Sequence, residues 1–404
     1  MLRKDIFLLL LVWLCVPVGA QEQPRTDAPA AADTLLWPAN VCERLDELTR
    51  DPLFETAQLG LCVYDLTADT LVYAHGARQR LRPASTAKLL TAVTALYRLG
   101  DNHRFETSLY YTGEVRDTVL AGDIYIKAGF DPAFGRDDLK AFMHAISALG
   151  IRRIEGRIYA DRSFKDTLRW GRGWCWDDDE ARLTPLLFNG GDRFAEAFFR
   201  ALDEEHIVAD TVLAEKALPA KGVRLAVTRF HTMDQILMRM MKESDNLYAE
   251  AMFYQLAAAD GQPFAGQKEA AAAVHSLIRK LGLAPASYTI ADGSGLSLYN
   301  YASAELLMNV LNFAYRNSTV NIHLYPSLPI AGVDGTLERR MRRGCAYDNV
   351  RAKTGTLEGV STLAGYATAA NGHVLSFVVM TQGIARQSQG RQFQDRVCEA
   401  ITHP

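Results

Sequence analysis

Ser85 and Lys88 stand three residues apart in "STAKLLTAVTALYRLG", at the start of an apolar stretch. Residues i and i+3 of a helix share a face, so this spacing brings an amine to a hydroxyl. A serine is a weak nucleophile until a base takes its proton. Lys88 can be that base only as a neutral amine. Its pKa must then fall about 3 pH units below a reference near 10.4, at a cost of about 4 kcal/mol. Burial supplies part of that, and a second cation nearby supplies more.

Two further motifs follow in chain order, Ser244-Asp245-Asn246 and Lys353-Thr354-Gly355-Thr356. Lys353 is the natural second cation that would keep Lys88 neutral. Ser244 can relay a proton to a leaving amine, and Asn246 can hold a substrate amide. The Lys353–Thr356 run suits a terminal carboxylate, and the backbone N–H groups of Ser85 and Thr356 can form an oxyanion hole. Each motif alone is ordinary. A serine near a helix start usually caps it, "SDN" is a common loop composition, and a lone "KTG" reads as an edge strand with a solvated lysine. All three together, in this order, point to acyl transfer through a serine nucleophile.

The elements that must position these groups are readable from pattern. "STAKLLTAVTALYRLG" is an apolar helix, with Leu89, Val93 and Leu96 at helical spacing and Gly100 ending it. Thr232 and Gln235 form a capping box that opens "MDQILMRMMKE". "SDN" is then a loop before the helix "LYAEAMFYQLAAA". "LCVYDL" and "TLVYAHG" read as strands, as do "NVRAKTGT", "STLAGYAT" and "HVLSFVVMTQ", with an Asn371-Gly372 turn between the last two. Strands from both ends of the chain can share one antiparallel sheet, covered by helices from about residue 40 and from about Gln387, with a helical block in the middle. The class is α+β. Residues 40–103 and 226–404 are expected to form this main domain. Residues 104–225 change texture, with strands "TSLYYT", "GDIYIKAG" and "GRIYADRS" around the amphipathic helix "RDDLKAFMHAISALG", and read as an inserted α+β subdomain.

A chain of 404 residues with 49% hydrophobic side chains can build a large core and accommodate such an insertion. The net charge of −3 and the lack of a basic run argue against a nucleic-acid partner. Nine scattered histidines without HExxH argue against a metal, and no cofactor motif is present. Residues 1–20 read as a signal peptide, with Arg3 and Lys4, an apolar middle too short to anchor stably in a membrane, and "VGA" before the cut. Residues 21–39 are a Pro/Ala-rich leader. Five cysteines then remain, Cys42, Cys62, Cys175, Cys345 and Cys398, with no CxxC spacing and so neither a disulfide framework nor a zinc site.

With the motifs in place, the chain resembles the D-alanyl-D-alanine carboxypeptidase/endopeptidases of the penicillin-binding protein 4 type, the class C low-molecular-mass group. The likeness extends through "RRIEGRIYADRSF", "GWCWDD", "KESDNLYAE", "ADGSGLSLYN", "SLPIAGVDGTL" and "RAKTGTLEGVSTLAGY". It implies a serine penicillin-recognising fold interrupted between the first two motifs. It implies a periplasmic enzyme acting on peptidoglycan stem peptides at D-Ala-D-Ala termini and at cross-links to diaminopimelate, with β-lactam antibiotics as covalent inhibitors. It implies that Ser294, otherwise part of a tight turn, borders the substrate. An aspartate of "GWCWDDDEARL" would meet the diaminopimelate amine, Asp177 by position and Asp178 second. The alternative for this stretch is a solvated turn, with Trp174 and Trp176 as plain core aromatics. The family fold also sets the terminal helices side by side, which would let Cys42 and Cys398 bridge.

Two departures stand out. A family subdomain is expected to be absent after "PLLFNGG". Leu298 stands where family members often carry an arginine that meets the side-chain carboxylate, which leaves either Arg182 as a substitute or a substrate whose carboxylate is amidated. The competing functions are a serine β-lactamase of the same fold and a non-catalytic wall-binding protein. The first lacks an "ExxLN" segment between the second and third motifs, and the second is at odds with three intact motifs.

Overall fold

The computed structural model describes residues 36–403. The expected signal segment and nearly all of the leader lie outside them. From Trp37 onward the chain forms one compact unit. It opens with α1 (Ala39–Thr49) and the hairpin β1 (Gln58–Asp65) and β2 (Thr70–His75). A 3-10 turn, Ala84–Thr86, then runs directly into α2 (Ala87–Leu99).

A second region follows, with β3 (Arg104–Tyr111), β4 (Glu114–Arg116), β5 (Val119–Ala121), β6 (Ile124–Lys127), α3 (Arg136–Ala148), β7 (Arg153–Ile154), β8 (Ile158–Asp161), α4 (Phe194–Glu204), β9 (Leu213–Glu215) and β10 (Arg224–Thr232). The helical block is α5 (Met233–Lys242), α6 (Asn246–Ala258), α7 (Gln267–Lys280), α8 (Ala304–Arg316) and α9 (Ser318–Ser327). The chain closes with β11 (Arg351–Leu357), β12 (Val360–Thr368), β13 (Val374–Gln382) and α10 (Gln387–Thr402).

The main sheet has the order β11-β12-β13-β1-β2 and is antiparallel throughout, so strands from the two ends of the chain do pair. Its central strands are apolar on both faces because each face meets a different core. Leu61 and Val63 of β1 and Phe377 and Val379 of β13 pack against α1 and α10. Cys62 and Val378 point the other way, into the core of the helical block. A second sheet, β10-β3-β6-β8-β9, buries its own core against α3 and α4. The sheet is mixed, with β10, β3 and β6 antiparallel and β6, β8 and β9 parallel. The last strand, β10, returns the chain to α5 through the Thr232–Gln235 capping box.

The "FNGG" segment closes at once. Phe188 and Gly191 bridge, with Asn189 and Gly190 between them at φ of 50° and 72°. Two left-handed residues in succession suit a two-residue turn, and Asn-Gly is the favoured pair for it. This is the point at which a family subdomain is expected to be absent.

The bridge between Cys42 and Cys398 does not form, although α1 and α10 share one core. Cys42 lies on the β2 side of its helix and its Sγ donates to the Val72 carbonyl at 3.3 Å. Cys398 turns inward and is fully buried. All five described cysteines are free thiols.

Candidate active site

The three motifs meet. Ser85 is supplied by the 3-10 turn before α2, and Lys88 lies in the first turn of α2. Ser244 and Asp245 form the loop between α5 and α6, and Asn246 begins α6. Lys353 to Thr356 lie on β11, the edge strand of the main sheet. Two residues here take left-handed backbone, Ala84 at φ 47° and Ser244 at φ 61°. Gly355 is required for the close approach of β11 to the nucleophile turn. A Cβ there would meet Thr362 Oγ1 at 2.2 Å and the Ser85 nitrogen at 2.9 Å.

Lys88 is fully buried. Its Nζ lies 2.9 Å from Ser85 Oγ, 2.6 Å from Asn246 Oδ1 and 2.9 Å from the Ser294 carbonyl. Two of these partners are carbonyl oxygens, which only accept. A neutral amine has two hydrogens and a lone pair. It can satisfy both carbonyls and still direct the lone pair at the Ser85 hydroxyl. Burial pushes the Lys88 pKa down to about 8, against the pull of Asp292, Glu250, Glu180 and Asp245.

The second amine lies close enough to Lys88 to repel it. Lys353 is also fully buried, and donates to Ser244 Oγ at 2.8 Å and to the Thr354 carbonyl at 2.9 Å. Burial first, and repulsion from Lys88 second, hold Lys353 well below its ordinary value. Burial is the largest cause of the lowered Lys88 pKa, and the repulsion between the two buried amines is mutual.

Ser85 opens onto a cleft of about 560 Å³ whose walls include Ser244, Thr354, Gly355 and Thr356, with Arg339 and Arg391. Ser294 does not line it. That residue is fully buried, its hydroxyl accepts from the Leu296 N–H at 3.3 Å, and its carbonyl is what faces Lys88.

The "GWCWDDDEARL" segment lies against the site. Trp174 Nε1 donates to Asp292 at 2.9 Å, and the Leu298 N–H donates to the Gly173 carbonyl. Trp174 packs on the helical core, whereas Trp176 is 97% exposed. Asp177 is exposed. The Asp178 carboxylate is engaged locally, accepting from the Cys175 N–H at 2.6 Å. Neither aspartate touches a motif residue. Arg182 is exposed as well.

Three carboxylates escape the sequence reading. Glu180, the last of the acidic run, accepts from Asn246 Nδ2. Asp292 is buried and accepts from the N–H groups of Gly295 and Ser297 and from Asn300 and Trp174, so it fixes the turn that presents the Ser294 carbonyl. Glu250, fully buried on α6, accepts from the Gly293 and Ser294 N–H groups at 3.0 and 2.8 Å. Burial, then Asp292, pushes its carboxyl up to about 8. The signal for Glu250 was present, since α6 is apolar on every side and any carboxylate on it must be buried.

Comparison with known proteins agrees with this geometry. The sequence model of the D-Ala-D-Ala carboxypeptidase 3 (S13) family matches residues 41–187 and 187–402, dividing beside the Asn189-Gly190 turn. The chain is 30% identical to carboxypeptidase DacB of Mycolicibacterium smegmatis, over 90% of this chain and 86% of that one. It is 25% identical to D-alanyl-D-alanine carboxypeptidase DacB of Haemophilus influenzae, over 81% and 86%. The crystal structure of penicillin binding protein 4 from H. influenzae superposes with a TM-score of 0.80 at 23% identity, covering 87% of this chain and 97% of that one. That likeness establishes the penicillin-recognising fold. The protein belongs to the D-Ala-D-Ala carboxypeptidase 3 (S13) family.

Proposed function

We propose that the protein is an exported, periplasmic serine D,D-carboxypeptidase and endopeptidase that cleaves D-Ala-D-Ala termini and D-Ala-diaminopimelate cross-links of peptidoglycan through an ester on Ser85. The arrangement around Lys88 carries the reading, because its Nζ lies 2.9 Å from Ser85 Oγ and, once deprotonated, can give its two hydrogens to the Asn246 and Ser294 carbonyl oxygens and its lone pair to the Ser85 hydroxyl. Ser85 Oγ attacks the D-Ala carbonyl carbon while Lys88 takes the hydroxyl proton. The oxyanion is held by the Ser85 and Thr356 N–H groups. The C–N bond then breaks. Lys353 donates to Ser244 Oγ, so the Ser244 O–H is free to protonate the leaving nitrogen, and the proton that Lys88 took from Ser85 then passes to Ser244, restoring its hydroxyl and the neutral amine. Thr354, Gly355 and Thr356 take the leaving carboxylate, and Asn246 takes the amide of the acyl chain. Water then hydrolyses the ester. The inserted region, about 104–225, reads the stem-peptide side chain through Asp177, with Asp178 held to its own turn.

The test uses two substrates, a peptide ending in D-Ala-D-Ala and a cross-linked peptide dimer. The wild-type protein should release D-alanine from the first and split the second, and Ser85→Ala should do neither. A wild-type protein inert on both, yet labelled by penicillin, would favour the wall-binding reading.

A further inference from the structure

We infer that Glu180 is a positioning residue for Asn246: its carboxylate fixes which way the asparagine amide faces, and so keeps the amide oxygen on Lys88. The inference rests on the Ser85–Lys88 reading and extends it to a side chain outside the three motifs.

The oxygen and nitrogen of a side-chain amide have nearly the same shape, so its orientation is set by what surrounds it. Here the two neighbours differ in kind. Lys88 Nζ, an amine, sits 2.6 Å from one end of the Asn246 amide. Glu180, a carboxylate, meets the other end. An ionised carboxylate only accepts, so it selects the NH₂, and the oxygen is left to Lys88. Turned round, the amide would set oxygen against carboxylate and lose that bond, and its NH₂ would compete with the Ser85 hydroxyl for the Lys88 lone pair.

The consequence reaches the nucleophile. A neutral Lys88 donates its two hydrogens to Asn246 Oδ1 and to the Ser294 carbonyl. Without the first acceptor, one hydrogen is free to swing to Ser85 Oγ and the lone pair turns away from the proton that it must take. Meanwhile Nδ2 has a second hydrogen, which Glu180 leaves available for the substrate amide.

The segment that bears Glu180 is fixed on both sides. Ser297 Oγ donates to the Arg172 carbonyl at 2.6 Å, Trp174 reaches Asp292, and the Leu183 N–H donates to the Arg169 carbonyl. The charged groups that face Glu180 are Lys88, Asp245 and Asp178. Asp245 is already engaged by the Tyr248 N–H and by Arg239, and Asp178 by the Cys175 N–H. Burial holds the Glu180 carboxyl above the ordinary carboxylate range. Once protonated it can donate as well as accept, and no longer enforces one orientation of the amide.

Glu180→Gln tests this, because it keeps the shape but can meet either end of Asn246. The rate of penicillin acylation at Ser85 near pH 8 should fall about tenfold, the loss expected for one hydrogen bond. The unfolding temperature should not fall. The ratio of wild-type to variant rates should narrow toward one as the pH is lowered and the wild-type carboxyl protonates. In an Asn246→Ala background, adding Glu180→Gln should change the rate by less than about twofold.

A variant rate within about twofold of wild type near pH 8 would overturn the proposal. So would a loss that is equal at every pH, one that persists in the Asn246→Ala background, or a lowered unfolding temperature. Normal acylation with a longer-lived ester would make Glu180 a water-activating base instead, and also overturns it. A wild-type protein that is not acylated at Ser85 strikes the underlying reading, not this one.

Discussion

Lys88 is where sequence and structure meet most tightly. Its spacing from Ser85 placed an amine on a hydroxyl, and burial gives that amine the pKa that a base needs. The acylation rate should therefore climb with pH, about tenfold per unit, and level off above about 8 as the amine loses its proton. Lys88→Arg keeps a cation that does not deprotonate at ordinary pH. Acylation by penicillin should fall by about two or more orders of magnitude and lose its rise toward pH 8. Near-normal acylation in that variant would exclude Lys88 as the base. The motif residues were legible because their order along the chain is itself a signal. Glu180 and Asp292 were not, because their roles depend on which backbone and side-chain donors the fold brings to them. The same holds for Ser294, where the working group is a carbonyl that any residue type would carry.

At the scale of elements, α6 and the "GWCWDDDEARL" segment make separate predictions. Glu250 stands in the folded protein with its carboxyl raised from 4.5 to about 8. A raised carboxyl favours the folded state below the unfolded value, and that stability is lost as pH rises through the folded value. Between about pH 4.5 and 8 the wild type should lose roughly 3–5 kcal/mol on this account. Glu250→Gln does not titrate, so its stability relative to wild type should rise steadily from about pH 5 to about pH 8 in urea unfolding. A difference that does not change with pH would show that Glu250 is not protonated in the fold. Asp177 is exposed and free of partners among the described residues, so Asp177→Asn should leave stability and penicillin acylation nearly unchanged. It should lower kcat/KM for a D-Ala-D-Ala peptide with a free side-chain amine, and not for the acetylated peptide. An equal loss on both peptides would assign side-chain recognition elsewhere. The helices and main-sheet strands were readable because their apolar periods and turn residues are local. The parallel pairing of β6, β8 and β9 was not, since nothing within a short strand states its partner.

At the scale of the whole molecule, the chain brings its two ends into one sheet and lays the second region between the nucleophile helix and the second motif. Pairing of the terminal strands could be inferred from their apolar runs. The Cys42–Cys398 bridge could not be settled that way, because adjacency of two helices does not say which face each thiol occupies. The same lesson applies to the β-lactamase alternative. No "ExxLN" segment lies between the second and third motifs, yet Glu180 arrives from before the second. It is bound to Asn246, and no carboxylate among the described residues hydrogen-bonds Ser85 or Lys88. The penicilloyl ester should therefore be long-lived. The most direct measurement is the intact mass of the protein after exposure to a penicillin, followed over time and mapped to a peptide, with Ser85→Ala alongside. The account predicts one added penicillin on the peptide that contains Ser85, persisting after free drug is removed, and no addition to the variant. Equal labelling of Ser85→Ala, or rapid loss of the adduct with many penicillins hydrolysed per protein, would contradict it.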